Sequence, residues 1–126
     1  MLVNGWAGSG GDAFPWAFQQ LKLGPIIGER TLGILVGPAT GHALIDGGFI
    51  TVPDARLYGN TGKWFAEGYG IKPEIEIWDD PSKLAKGEDP QLLRAIEEAM
   101  KLVKTNPRVL YPRPAFEDRR AEGIKD

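Results

Sequence analysis

One serine stands among glycines near the start of the chain, in Gly5-Trp6-Ala7-Gly8-Ser9-Gly10-Gly11-Asp12-Ala13-Phe14-Pro15. Leu2-Val3-Asn4 reads as the end of a strand, and a helix is expected after Asp12, which reads first as its N-cap and second as a residue that orients the turn or binds something. A sharp strand-to-helix turn lifts a hydroxyl out of the core and aims the first helical N–H groups at the same point. A nucleophilic serine needs that arrangement. Glycine permits the backbone angles of such a turn and leaves room for a substrate carbonyl. The plainer reading is a Gly-rich loop that caps a helix, and the local pattern leaves both open. Gly8-Ser9-Gly10-Gly11 lacks the lysine and the spacing of a phosphate-binding loop.

Three further segments follow in order. They are Gly28-Glu29-Arg30-Thr31-Leu32-Gly33, then Glu67-Gly68-Tyr69-Gly70-Ile71-Lys72-Pro73, and Asp89-Pro90-Gln91-Leu92 at the head of a helix. With Leu44-Ile45-Asp46-Gly47-Gly48 between them, the chain resembles the tail-specific (C-terminal processing) serine proteases over residues 2–103, and within them the tricorn branch. The resemblance implies that Ser9 is the nucleophile and that the Gly10 backbone N–H is an oxyanion donor. Such a donor stabilises charge that exists only in the transition state. An acidic residue is expected at the Gly10 position in the archaeal branch, but the backbone amide does the work.

A serine also needs a base. One arrangement in the superfamily places a lysine directly after the Thr-x-Gly segment. Ile34 and Leu35 stand there in this chain, and no lysine occurs between Lys22 and Lys63, which disfavours a Ser–Lys dyad. The other arrangement is a Ser/His/Ser/Glu tetrad, whose glutamate opens the segment beginning at Glu67. The resemblance implies that Glu67 orients a second serine, which supports the histidine. That histidine lies upstream in the family. His42, the sole histidine of this chain, occupies no motif position and reads as a surface residue. The chain is therefore expected to carry a nucleophile and a supporting carboxylate, and to be inactive alone.

The surrounding elements follow from periodicity. Phe14, Ala17, Phe18 and Leu21 recur at helical spacing and predict a buried face, ended by Gly24-Pro25. Trp6, Phe14, Trp16 and Phe18 read as core. Pro25–Gly28 reads as a short buried strand, and Leu32–Gly37 as either strand or substrate-facing loop. Residues 43–45 and 49–52 form strands around the Asp46-Gly47-Gly48 turn. Residues 54–70 are mostly loop, 74–77 a strand, and 79–88 a polar linker. Asp89-Pro90 starts the clearest helix, with Leu92, Ile96, Ala99 and Val103 as its apolar stripe and Glu97–Lys101 as a solvent-side pair. The order is an α/β one. The resemblance adds a partial crotonase- or Clp-protease-like spiral core. Residues 1–105 are expected to be the C-terminal part of a peptidase domain, and 106–126 an extended Pro-rich arm.

At 126 residues, 42% of them hydrophobic, the chain holds one domain at most. A net charge of −2 gives no argument for nucleic acid or an anionic membrane. Cysteine is absent, so disulfide and thiol chemistry are excluded. No long apolar run or leader pattern is present, and the compartment is not readable. Asp46 and Asp54 read as turn residues. Asp79-Asp80 and Glu88-Asp89 lack metal-ligand spacing, so neither metal nor cofactor is expected. The resemblance implies a peptide or unfolded-protein substrate, an upstream half of the domain as partner, and a homo-oligomer. The alternative is a non-catalytic ligand-binding or assembly module of the same fold, with the Pro-rich arm as a docking element.

Overall fold

The structure, a computed structural model, describes residues 1–38 and 40–117. Ala39 and residues 118–126 lie outside that set, and with them part of the loop before His42 and the charged end of the expected arm.

The architecture is α/β. A three-stranded parallel sheet is ordered β1-β2-β5, from β1 (Leu2–Val3), β2 (Ile27–Gly28) and β5 (Ile75–Glu76). Leu2 pairs with Ile27 and Ile27 with Ile75. The central strand β2 is buried on both faces, whereas the flanking β1 and β5 are partly exposed, with Leu2 and Glu76 facing solvent. Helix α1 (Gly10–Gln20) makes the crossover from β1 to β2. Gly28, at φ 128, is held within the sheet: a Cβ there would lie 2.0 Å from the Val3 carbonyl oxygen.

Carboxylates extend the short strands. Glu74 Oε2 accepts the Ile26 N–H at 2.8 Å, and Glu29 Oε1 accepts the Asp79 N–H at 2.9 Å. A separate antiparallel hairpin, β3 (Thr40–Ala43) and β4 (Phe49–Val52), pairs His42 with Ile50. Asp46 accepts the Gly48 N–H in its turn.

The buried face of α1 is not the expected one. Phe14 and Leu21 are exposed, as is Trp6, whereas Asp12 and Pro15 are buried. Trp16 stacks on Phe65 with ring centroids 4.0 Å apart, and this pair flanks the cluster Leu35, Phe65, Ala66 and Ile71. Gln19 donates to the Lys72 carbonyl. The inward stripe is therefore 12, 15, 16 and 19, a helical period anchored on a polar residue, Asp12. An apolar-periodicity argument gives Asp12 no weight.

Helix α3 (Pro90–Thr105) begins as expected: Asp89 Oδ1 accepts the Leu92 N–H at 2.9 Å, with Pro90 next. Its apolar stripe is not buried, since Leu92, Ile96 and Val103 remain exposed and Gln91 is the buried residue. Lys101 pairs with Glu98 rather than Glu97, because Glu98 also lies one turn from Arg94 and gathers both cations, at 2.8 and 2.9 Å. Lys101, then Arg94, holds the Glu98 carboxyl below the usual carboxylate range. The polar linker contains one helical turn, α2 (Pro81–Leu84), because Asp80 caps it by accepting from the Ser82 and Lys83 N–H groups. Residues 107–117 are exposed and form no helix or strand.

Candidate active site

Ser9 is the N-cap of α1, directly after the strand β1 and a turn. This corrects the expectation that Asp12 caps the helix. Ser9 has φ 56 and ψ −110, a conformation that L-residues adopt at a cost of about 1–3 kcal/mol and that persists only where the surroundings over-determine it. The surroundings are hydrogen bonds. The Ser9 N–H donates both to the Ile34 carbonyl at 2.8 Å and to Asp12 Oδ2 at 2.9 Å. The residue is exposed, so the strained turn presents its side chain to solvent.

The next amide behaves differently. The Gly10 N–H has no hydrogen-bond partner among the described residues, as expected of a first helical N–H. Gly10 is exposed, and a Cβ there would meet nothing within 4 Å. A free donor and an exposed serine thus stand on consecutive residues at the positive end of a helix dipole.

Asp12 is fully buried and gathers four donors. Oδ2 takes Ser9 N–H and Ile34 N–H, the latter at 3.0 Å. Oδ1 takes Gly33 N–H at 2.9 Å and the Thr31 hydroxyl at 2.5 Å. Thr31 Oγ1 in turn accepts the Ile71 N–H at 2.7 Å. Asp12 thus holds the turn, the second of the two roles expected for it, whereas Thr31 carries no sequence signal of its own as a site residue. The available signal was an acidic residue three positions after a serine at a helix start, the spacing of a capping box.

Residues 31–36 are an irregular loop, which resolves the open choice between strand and loop. It is clamped at its far end by Glu67, whose Oε2 accepts the Leu35 and Val36 N–H groups at 2.6 and 2.7 Å. Glu67 Oε1 has no hydrogen bond among the described residues. Gly33 and Gly70 make the clamp possible. Gly70 has φ 64, and a Cβ on it would sit 2.0 Å from the Thr31 carbonyl oxygen.

The structure brings Ser9, Gly10, Asp12 and the 31–36 loop together, with Glu67 on the other side of that loop. It does not bring in His42, which is exposed on β3 and hydrogen-bonds neither Ser9 nor Glu67. Nor does any described side chain hydrogen-bond the Ser9 hydroxyl. Among the described residues no group of three His, Asp or Glu side chains is placed to hold a metal, and no helix is long and apolar enough to cross a membrane.

A strained, exposed serine at a strand-to-helix turn beside a free helical amide is the arrangement that a nucleophilic serine needs. Residues 1–77 match the sequence model of Peptidase family S41, and the chain belongs to that family. It is 39% identical over 104 residues to a tricorn protease homolog of Streptomyces coelicolor, covering 82% of this chain and 9% of that one. It is 35% identical over 114 residues to the tricorn protease of Thermoplasma acidophilum, covering 90% of this chain and 11% of that one. The crystal structure of the tricorn protease superposes with a TM-score of 0.73 at 34% identity, over 82% of this chain and 10% of that chain. The chain thus spans about a tenth of the length of these relatives.

Proposed function

We propose that this chain carries the nucleophile of a tricorn-like serine peptidase. The Ser9 Oγ attacks a peptide carbonyl and the Gly10 N–H receives the developing oxyanion. Glu67, through its uncommitted Oε1, supports a second serine and a histidine that come from outside these 126 residues. Water then resolves the acyl-enzyme. Residues 1–105 form the C-terminal part of a catalytic domain with a Clp-protease-like spiral core, and the exposed segment 106–117 is an arm on it. The substrates are peptides or unfolded chain ends.

The observation that carries this reading is the Ser9 conformation, φ 56 with its own N–H doubly bonded and the Gly10 N–H left free. A serine that merely capped a helix would take an extended conformation without strain. The sole histidine of the chain, on the β3–β4 hairpin, makes no bond to Ser9, which supports a base from elsewhere.

The test is peptide turnover by the complete peptidase, with and without Ser9→Ala. Loss of turnover in the folded variant is expected. Unchanged turnover would show that Ser9 is not the nucleophile and would favour a binding or assembly role for this segment.

A further inference from the structure

Asp12 is the one fully buried charged side chain among the described residues, and the proposed chemistry does not use it. No basic side chain bonds it. Its partners are three backbone N–H groups and a threonine hydroxyl. Two of those amides, Gly33 and Ile34, belong to the loop that Glu67 clamps from the other end. The third is the amide of Ser9 itself.

We infer that Asp12 is a positioning residue for the nucleophile, aiming both the Ser9 hydroxyl and the Gly10 N–H by fixing the peptide plane that enters Ser9. This inference rests on Ser9 being the nucleophile.

The geometry gives the mechanism. The Ser9 N–H is pinned between Asp12 Oδ2 and the Ile34 carbonyl, at 2.9 and 2.8 Å. With that plane fixed, φ sets where Cβ and Oγ point, and ψ sets where the Gly10 N–H points. Both torsions sit away from the relaxed basins for an L-residue, so removing the pin lets the turn relax. Asp12 Oδ2 also holds the Ile34 N–H, so one oxygen ties the nucleophile turn to the loop beside it. The Thr31 hydroxyl, fixed by the Ile71 N–H, bonds the other oxygen, Oδ1, which the Gly33 N–H also holds. Thr31 therefore supports Asp12 without touching Ser9, which separates positioning from stability.

The experiment compares Asp12→Asn with Thr31→Val in the complete peptidase, each corrected for its folded fraction, with Ser9→Ala as reference. An asparagine offers one acceptor oxygen where Asp12 has two. Whichever way it turns, its NH2 faces a backbone N–H, either that of Gly33 or those of Ser9 and Ile34, and since Gly33-Ile34 carries the carbonyl that also holds Ser9, the Ser9 turn loosens. Asp12→Asn is expected to lower kcat by about 10- to 100-fold with KM within about twofold, the effect of a misaimed nucleophile rather than lost binding. The Ser9 amide should exchange its hydrogen faster in this variant. Thr31→Val should leave kcat within about threefold despite its loss of stability.

Wild-type kcat in folded Asp12→Asn, or an equal kcat loss in Thr31→Val, would overturn the inference and leave a purely structural carboxylate. Should Asp12→Asn fail to fold, Asp12→Glu serves, since it keeps both acceptors and shifts them by one methylene. A kcat loss at constant KM supports positioning there too, and full kcat overturns it. Turnover that survives Ser9→Ala defeats the nucleophile reading itself, a result distinguishable from all of these.

Discussion

Glu67 reaches Ser9 only through the backbone between them. Its Oε2 takes the Leu35 and Val36 N–H groups at 2.6 and 2.7 Å, and the adjoining Ile34 carbonyl takes the Ser9 N–H at 2.8 Å. Glu67 thus sets the position of the loop against which the Ser9 turn leans.

Glu67→Gln and Glu67→Ala should therefore differ. A glutamine oxygen can still accept both amides, so Glu67→Gln is expected to cost about 1 kcal/mol of stability or less. Glu67→Ala leaves two amides without their acceptor and should cost about 2–4 kcal/mol. On turnover, Glu67→Gln should be milder than Ser9→Ala, because it acts on orientation rather than on a bond that forms. Urea unfolding and peptide turnover check the two halves. Equal stability of the two variants would show that the amide contacts carry no weight.

Strain at Ser9 predicts a trade between stability and function. Ser9→Gly relieves the φ 56 conformation and should stabilise the fold by about 1 kcal/mol while abolishing turnover. A lower unfolding midpoint than that of the unaltered protein would contradict the strain.

Gly70 and Gly62 make a matched pair. Both have positive φ, but a Cβ on Gly70 would meet the Thr31 carbonyl oxygen at 2.0 Å, whereas one on Gly62 meets nothing within 4 Å. Gly62→Ala should cost about 1–2 kcal/mol, the left-handed penalty alone. Gly70→Ala must also push the backbone aside and should cost at least about 3 kcal/mol. Thermal unfolding decides. Equal losses would mean that the 31–34 loop is not held against Gly70.

The apolar residues that remain uncovered predict association. Ile45, Phe49 and Ile50 on the hairpin and Leu92, Ile96 and Val103 on α3 are all exposed. Patches of this kind mark association surfaces. Sedimentation equilibrium of the 13.8 kDa chain at micromolar concentration should give a mass above the monomer. A clean monomer with one cooperative unfolding transition would contradict this.

Much of this was legible in the sequence, for reasons that differ by residue. The α3 start was readable because Asp89-Pro90 is a local signal, and the hairpin because Asp46-Gly47-Gly48 marks its turn, although its first strand is Thr40–Ala43 rather than the expected 43–45. The Gly-Ser-Gly segment located the strand-to-helix turn. The α1 face was misread because Asp12, not an apolar residue, fixes the helix's rotation through bonds to residues 31–34. Those partners are distant in sequence, and no periodicity reports them. The uncovered α3 stripe was misread because amphipathic spacing tells which face is apolar and not what covers it.

His42→Ala should leave turnover in the complete peptidase within about twofold, since the residue is exposed on the hairpin and bonds nothing at the site. A large loss there, with little from Glu67→Gln, would reassign the base to this chain.

A nucleophilic Ser9 must react covalently where an ordinary serine does not. Ser9 and Ser82 are the serines of the chain, and the Ser82 hydroxyl, bonded to Asp80 at 2.6 Å, serves as an internal control. The direct measurement is covalent labelling of the complete peptidase with a fluorophosphonate, mapped by peptide mass. Stoichiometric modification is expected at Ser9, none at Ser82, and loss of the label in Ser9→Ala. A peptidase that turns over substrate while Ser9 stays unlabelled would contradict a nucleophilic Ser9.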